Sequence, residues 1–464
     1  MPLPRIRLDT IIPLSAMRPV LGTIVLALSA LPAVAQQRPP VRPLGPVVAR
    51  STDTIATIAG VRHLPDGRVL VNDVGRRRVT LLDSSLAPIA VVADSTAATA
   101  NAYGGRLGGL LAFRGDSSLF VDPASMSMLV IDPAGKVARV MSVPRTQDAM
   151  ALANPFSPAG FDPAGRLVYR AGLGGRMGGM GAGGQRVTVG AAGAAPRMPE
   201  LPDTNAIVRV DLATRTVDTV GFIRIARPRM TTVSDSGGRT IMMSEINPLP
   251  VVDDWTVLPD GSVAFVRGRD YHVDFVNADG SRMSAPKVPF EWQRMSDEDK
   301  VTFMNTFMDS VKAARERQAV ATAAGHGAAG DRQVMAGGGA GGGAVVSQTI
   351  VMSEGGPGGA RGGAMGFTPP PPSFIPASEL PDYKPAFFAN SVRADAEGNL
   401  WIRTIPTRQV PGGPVYDVLD RKGELVDRVQ VPAGRAIVGF GNGGTVYLLA
   451  RDASGLALER ARVR

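Results

Sequence analysis

At 464 residues the chain is long enough for one large repeat-built domain or two ordinary ones. It has no cysteine, which excludes disulfide frameworks, thiolate metal sites, cysteine nucleophiles and lipid attachment at a cysteine. Its 50 Lys+Arg against 41 Asp+Glu leave it basic by nine. That excess is mostly arginine and is spread out, with no dense basic cluster interleaved with aromatics, so no nucleic-acid partner is expected and the weak preference is for anions such as membrane or glycan phosphates.

In chain order, the first element is a targeting segment. Val20 to Leu31 is an uncharged apolar run, too short to span a bilayer comfortably, and it ends in Ala33-Val34-Ala35 before Gln36-Gln37. Small side chains at the first and third positions before the cut suit a signal peptidase, so residues 1–35 read as a signal peptide, with Met17-Arg18 an alternative compact start. No second apolar run of spanning length follows, so the mature chain is expected to be exported, periplasmic or secreted, with no transmembrane span, as in a bacterial envelope. Residues 36–53 open with QQRPPVRPLGPV, whose prolines argue against helix and sheet ladders, and read as a linker.

From residue 54 to 463 the chain repeats one unit: apolar strand, Asp/Gly turn, apolar strand. It reads HLPDGRVLV at 63–71, FDPAGRLVY at 161–169, VLPDGSVAF at 257–265 and RADAEGNLWI at 393–402, with weaker copies at 112–121 and 439–449. Glycine supplies the positive φ that such tight turns need. A second hairpin follows most copies, as in VIDPAGKVARV at 130–140 and VLDRKGELVDRV at 418–429. Four strands per 45–50-residue period, in six copies, predict an all-β, six-bladed β-propeller of four-stranded blades. The last copy lacks a fourth strand, and the unpaired strand TIATIA at 54–59 is expected to supply it and close the ring.

The first blade carries Asp73-Val74-Gly75-Arg76-Arg77-Arg78-Val79-Thr80-Leu81-Leu82-Asp83. Asp73, Gly75, Arg78 and Asp83 match the NHL-type pattern of Asp, a glycine turn, then Arg-Val and a closing Asp, and the chain resembles an exported NHL-repeat-like propeller. Blade two keeps the Asp122-to-Asp132 spacing, and blade four reads Asp270-Tyr271-His272-Val273-Asp274-Phe275-Val276 before Asn277. The resemblance implies the fold and no particular activity, since this fold serves as scaffold, lactonase and lyase alike.

Two insertions interrupt the repeats. The first, 171–203, is a Gly/Met-rich loop between the second and third strands of blade three. The second, 288–384, lies between blades four and five. It opens on a helix at 297–314, with a capping box at Ser296 to Asp299 and an apolar stripe of Phe303, Met304, Phe307, Met308 and Val311. A Gly/Ala-rich tract at 325–366, expected to be disordered, and Pro369 to Pro372 follow. Second-to-third-strand loops and blade connections emerge on one propeller face, so these insertions and the long connections 94–105, 145–155 and 226–250 decorate that face, where any site is expected.

The chemistry is sparse. His63, His272 and His326 show no metal-pair spacing, no G-x-S-x-G elbow occurs, and no GxGxxG joins a strand to a helix. Met177, Met180 and Met198 sit among glycines without a histidine partner, a linker pattern rather than a soft-metal site. Trp255 and Trp401 fall in strand patterns and are expected to pack between blades, whereas Trp292 precedes the inserted helix. The expected function is a non-catalytic binding or scaffold propeller, without a cofactor, whose loop-rich face takes a protein, a glycan or a small anionic ligand through Arg76, Arg77, Arg267, Arg269, Arg403 and Arg408. The alternative is a calcium-dependent hydrolase, lactonase or lyase at the channel mouth, with Asp73, Asp122, Asp253, Asp254, Asp270 and Asn390 as ligands. A structural reading of the same aspartates has them capping turns or bridging blades.

Overall fold

The computed structural model describes residues 38–105, 107–154, 158–172, 202–227, 229–234, 240–323, 372–407, 411–452 and 455–463. The targeting segment 1–35, residues 173–201 of the first insertion with its three methionines, the tract 325–366 with His326, and Arg408 lie outside them.

Six antiparallel four-stranded blades form a β-propeller. Blade one is Ile58–His63, Val69–Asp73, Arg78–Leu82 and Pro88–Ala93. Blade two is Gly109–Ala112, Ser118–Asp122, Ser127–Ile131 and Val137–Ser142, and blade three is Gly160–Phe161, Leu167–Arg170, Thr204–Val210 and Val217–Arg224. Blade four is Asp254–Val257, Val263–Arg267, His272–Val276 and Arg282–Ser284, and blade five is Phe387–Ala394, Leu400–Thr404, Val415–Leu419 and Leu425–Gln430. Blade six takes Arg435–Gly441, Thr445–Asp452 and Gly455–Arg462 from the end of the chain.

The ring follows from where the apolar residues go. Middle strands such as Val69–Asp73 are buried along their whole length, because both sheet faces pack on a neighbouring blade. Leu81 and Phe120 share a core between blades one and two, Tyr169 and Val121 between two and three, and Phe265 and Ile207 between three and four. Tyr271 and Phe387 join blades four and five, Trp401 and Val446 join five and six, and Leu458 and Val71 join six back to one. Trp255 lies in the core of blades three and four and Trp401 in that of five and six, both between blades as their strand patterns suggested.

The repeating turns explain why the sequence pattern was readable. In the turns joining third to fourth strands of blades one and five, an Asp accepts backbone N–H bonds from residues two and four further on. Asp83 Oδ1 accepts from Ser85 (2.8 Å) and Ala87 (2.9 Å), and Asp420 Oδ1 from Lys422 (2.8 Å) and Glu424 (3.0 Å). Glycine fills the left-handed position at Gly135, Gly280 and Gly423 (φ 81°, 89° and 76°).

The closure corrects one expectation. The missing outer strand of blade six is Val47–Arg50, antiparallel to Gly455–Arg462, and not 54–59. Ile55 makes only an isolated bridge to Leu456, and Ile58 already begins the inner strand of blade one. The stretch 36–53 is therefore not a free linker. Val41–Pro43 adds a fifth, parallel strand to the outer edge of blade five, fastened by Arg42 Nε to Asp427 Oδ2 (2.8 Å) and by Leu44 N to the Gln430 carbonyl (2.9 Å). An edge strand pairs on one side only, so proline is tolerated there.

The inserted helix runs Asp297–Ala323, longer than the 297–314 its apolar stripe marked. Its capping box is reciprocal: the Asp299 amide donates to Ser296 Oγ (3.1 Å), while the Ser296 amide donates to Asp299 Oδ2 (2.9 Å). The connection after blade three is not a plain loop but contains the hairpin Arg229–Ser234 and Thr240–Glu245. Hairpin, helix and the segment after 372 form one cap: Ile246 bridges Phe374, Arg229 pairs with Glu379, and Leu249, Met295, Met304, Ile375 and Leu380 share a core with Phe388 and Ile405 of blade five.

Candidate ligand site at the channel mouth

On the decorated face, most of the carboxylates proposed as metal ligands are engaged by backbone amides. Asp73, at the end of the second strand of blade one, accepts from Ala56 N (2.9 Å), Thr57 N (2.9 Å) and Arg76 N (3.3 Å). Asp122 occupies the same place in blade two and takes Gly105 N (3.1 Å) and Ser125 N (3.2 Å). Asp253 takes Arg224 N (3.0 Å) and Gly268 N (3.1 Å). Asp148, which the sequence reading passed over, does the same for Gly172 N (2.8 Å). In each of blades one to four a carboxylate thus ties the incoming crossover to the turn after the second strand, neutralising amides that no ladder pairs. Asp270 instead meets His272 Nδ1 (2.7 Å) and Lys287 (3.6 Å). The other ring nitrogen of His272 faces Asp274 (3.3 Å), and His63 Nδ1 bonds the Tyr447 hydroxyl (2.8 Å).

The candidate arginines scatter over three blades. Arg76 binds the Thr54 carbonyl and hydroxyl, and Arg77 binds the carbonyls of Tyr103 (2.8 Å) and Gly104 (2.9 Å). Arg267 is shared by Asp253 (2.9 Å) and Asp274 (2.7 Å), and Arg269 is exposed. Arg403 stacks over the Phe388 ring at 4.9 Å. Trp292 is 39% exposed and lies edge-on to Phe290.

Three of the proposed residues do come together, where the inner strand of blade five bulges between Phe387 and Val392. Asn390 holds a left-handed conformation there (φ 56°), and Arg403 stacks beside it on Phe388. Asp254 opens the inner strand of blade four and reaches across to the bulge, its Oδ2 accepting from Ser391 N (2.6 Å) and Val392 N (3.0 Å) and its Oδ1 from Trp255 N (2.9 Å). Burial raises the Asp254 pKa above the usual carboxylate value, although these amides and Arg393 pull it down.

Two arginines that the sequence reading missed lie within electrostatic reach of this carboxylate without pairing with it directly. Arg393, on the inner strand of blade five, donates to the carbonyls of Val392 (2.8 Å) and Asn390 (3.3 Å). Arg170 ends the second strand of blade three and makes no hydrogen bond among the described residues. Burial lowers the pKa of both, and the Asp254 charge opposes that shift in both. Each keeps part of its surface open to solvent while ringed by protein, as a side chain beside a narrow channel does. The signal in the sequence was a charge in a strand otherwise apolar: RADAEGNLWI begins on Arg393, and LVYR ends on Arg170.

The carboxylates named as calcium ligands are dispersed and engaged by the protein's own groups. A calcium centre needs six to eight converging oxygens. Among the described residues no group of three or more His, Asp or Glu side chains is placed to hold a metal ion, and the Asp254 lone pairs already meet three amides.

No protein-family model matches the chain, and no curated protein matches it. Among solved structures it is similar to a putative gluconolactonase (12% identity, 92% of this chain and 98% of that one, TM-score 0.38). It is also similar to a calcium-binding regucalcin from Agrobacterium tumefaciens (13%, 91% and 98%, TM-score 0.36) and to virginiamycin B lyase from Staphylococcus aureus (9%, 89% and 98%, TM-score 0.36). Likeness this distant decides nothing about activity, and the propeller rests on its own strand pairing and interblade cores. No helix among the described residues is long and apolar enough to cross a membrane.

Proposed function

We propose that the protein is an exported, NHL-like, non-catalytic binding propeller whose mouth, at blades three to five beneath the cap, holds a small singly charged anion. The observation that carries this reading is the charge count around Asp254. Two guanidiniums, Arg170 and Arg393, share one carboxylate that is already hydrogen-bonded by backbone amides. With Arg403 beside the same bulge, that leaves a positive surplus where water screens poorly, and a carboxylate ligand would reduce it with charge-assisted hydrogen bonds. Export rests on the apolar run Val20 to Leu31 and the small residues Ala33 and Ala35. The non-catalytic reading is supported by a sequence without a serine elbow or a paired-histidine motif.

The test is calorimetric titration of the purified protein with acetate, lactate and glucuronate, with glucose as the uncharged control. At least one monocarboxylate should bind, glucose should not, and Arg393→Met or Arg170→Met should weaken binding by about tenfold or more. Saturable glucose binding, or unchanged monocarboxylate affinity in both variants, would overturn the proposal.

A further inference from the structure

A second cleft, of about 270 Å³, opens at the seam where the ring closes. One wall is the N-terminal segment at Ser51, Asp53, Thr54 and Ile55, and the other is the second, third and outer strands of blade one. Its floor is apolar: Val71, Leu82 and Leu86 are buried. Its outer wall presents Ile89 and Val91, which are 52% and 43% exposed. Leu86 is the odd residue. It sits at φ 70° in the turn position that Gly135, Gly280 and Gly423 fill in blades two, four and five, so the chain keeps a strained leucine where glycine is easier.

The polar lining is selective. Asp73 is occupied by three amides, and Arg76 is bound to the neutral oxygens of Thr54. Arg78 differs: its side chain makes no hydrogen bond or ion pair among the described residues, and its Nε is buried without an acceptor. Asp94 lies within electrostatic reach of Arg78 but directs Oδ1 to the Thr96 and Thr99 hydroxyls (2.6 and 2.5 Å). The remaining carboxylate, Asp53, stands exposed on the opposite wall and would repel an anion there.

We infer that this seam cleft binds a short acyl carboxylate, its head on Arg78 beside Thr80 and its tail over Leu82, Ile89 and Val91. A guanidinium that lines the cleft without a carboxylate paired to it selects an anionic acceptor, and the apolar floor and wall select a hydrocarbon tail. The volume lies just under the ~300 Å³ at which small-molecule pockets begin, so the tail is limited to a few carbons. The ligand would touch both the closing segment and blade one, so its binding energy adds to ring closure.

The experiment titrates the purified protein with hexanoate, hexanol and acetate by calorimetry and follows its melting. Hexanoate should bind and raise the melting temperature, while hexanol and acetate should bind about tenfold or more weakly. Arg78→Gln should cost hexanoate about tenfold in affinity, and Ile89→Glu, an exposed change that leaves the core intact, should weaken it as well. Arg393→Met should remove only hexanoate bound at the mouth and leave the binding that Arg78→Gln and Ile89→Glu weaken, which separates this cleft from the mouth, so either site can fail without the other. Equal binding of hexanoate and hexanol, loss of hexanoate binding in Arg393→Met but not in Arg78→Gln, or no hexanoate binding at all would overturn the inference.

Discussion

In blade one the outer strand Pro88–Ala93 leaves its edge open and exposes Ile89 and Val91, whereas in blade five the outer strand Leu425–Gln430 is covered by Val41–Pro43. The two blades share strands and turns but differ in what the rest of the chain does for them. Residues 41–50 finish blades five and six, and the chain then turns inward at 51–57, leaving a cleft beside blade one. The mouths differ in the same sense. Asp73 ties amides of the crossover that enters its own blade, while Asp254 of blade four ties amides of blade five within electrostatic reach of two arginines. Repeat chemistry therefore holds each blade together, and departures from the repeat build the sites.

The strongest way to break this comparison is to remove residues 38–50. Blade six would lose its fourth strand, blade five its fifth, and Leu44 its place in their shared core. Lost burial and ladder bonds should cost at least about 3 kcal/mol in denaturant unfolding. An unchanged midpoint would mean that the belt is incidental to closure.

Asp254→Asn is the next test. It removes a charged acceptor from three amides and should cost about 1–3 kcal/mol at neutral pH. Its pH dependence identifies the group. Because burial raises the folded pKa above the unfolded one, the native state holds the proton more tightly in the window between them. The stability of the wild type relative to Asp254→Asn should therefore rise as pH falls from neutral into the carboxylate range. A difference that shrinks on acidification would contradict the raised pKa.

The smallest effect is expected at Ser296→Ala. Losing the reciprocal cap should weaken the inserted helix by about 1 kcal/mol. Hydrogen exchange should quicken in the helix and not in the blade strands, because the cap core meets the propeller only through residues such as Phe388 and Ile405.

The blades were legible because many of their turns obey local rules: Asp at the first position and Gly at the left-handed one recur, as at Asp132-Gly135 and Asp420-Gly423. The closing strand Val47–Arg50 was misplaced because the prolines just ahead of it, Pro43 and Pro46, argue against a ladder, and that objection lapses at an edge, where only one side is paired. The hairpin after blade three was missed because its turn signal in the sequence, Asp235-Ser236-Gly237-Gly238, falls outside the blade period, in a stretch read as a connection. Of the candidate site, Asp254, Asn390 and Arg403 were named but not grouped, since a bulge in one blade and the reach of a carboxylate from another are not encoded in spacing. Arg170 and Arg393 went unnoticed because a charge in a strand pattern was taken as part of a blade face.

The most direct measurement is a crystal structure of the protein with a bound monocarboxylate such as glucuronate. The account predicts the carboxylate between Arg170 and Arg393, with Asp254 still bonded to Ser391 and Val392. An anion bound elsewhere, with both guanidiniums turned to pair directly with Asp254, would contradict it.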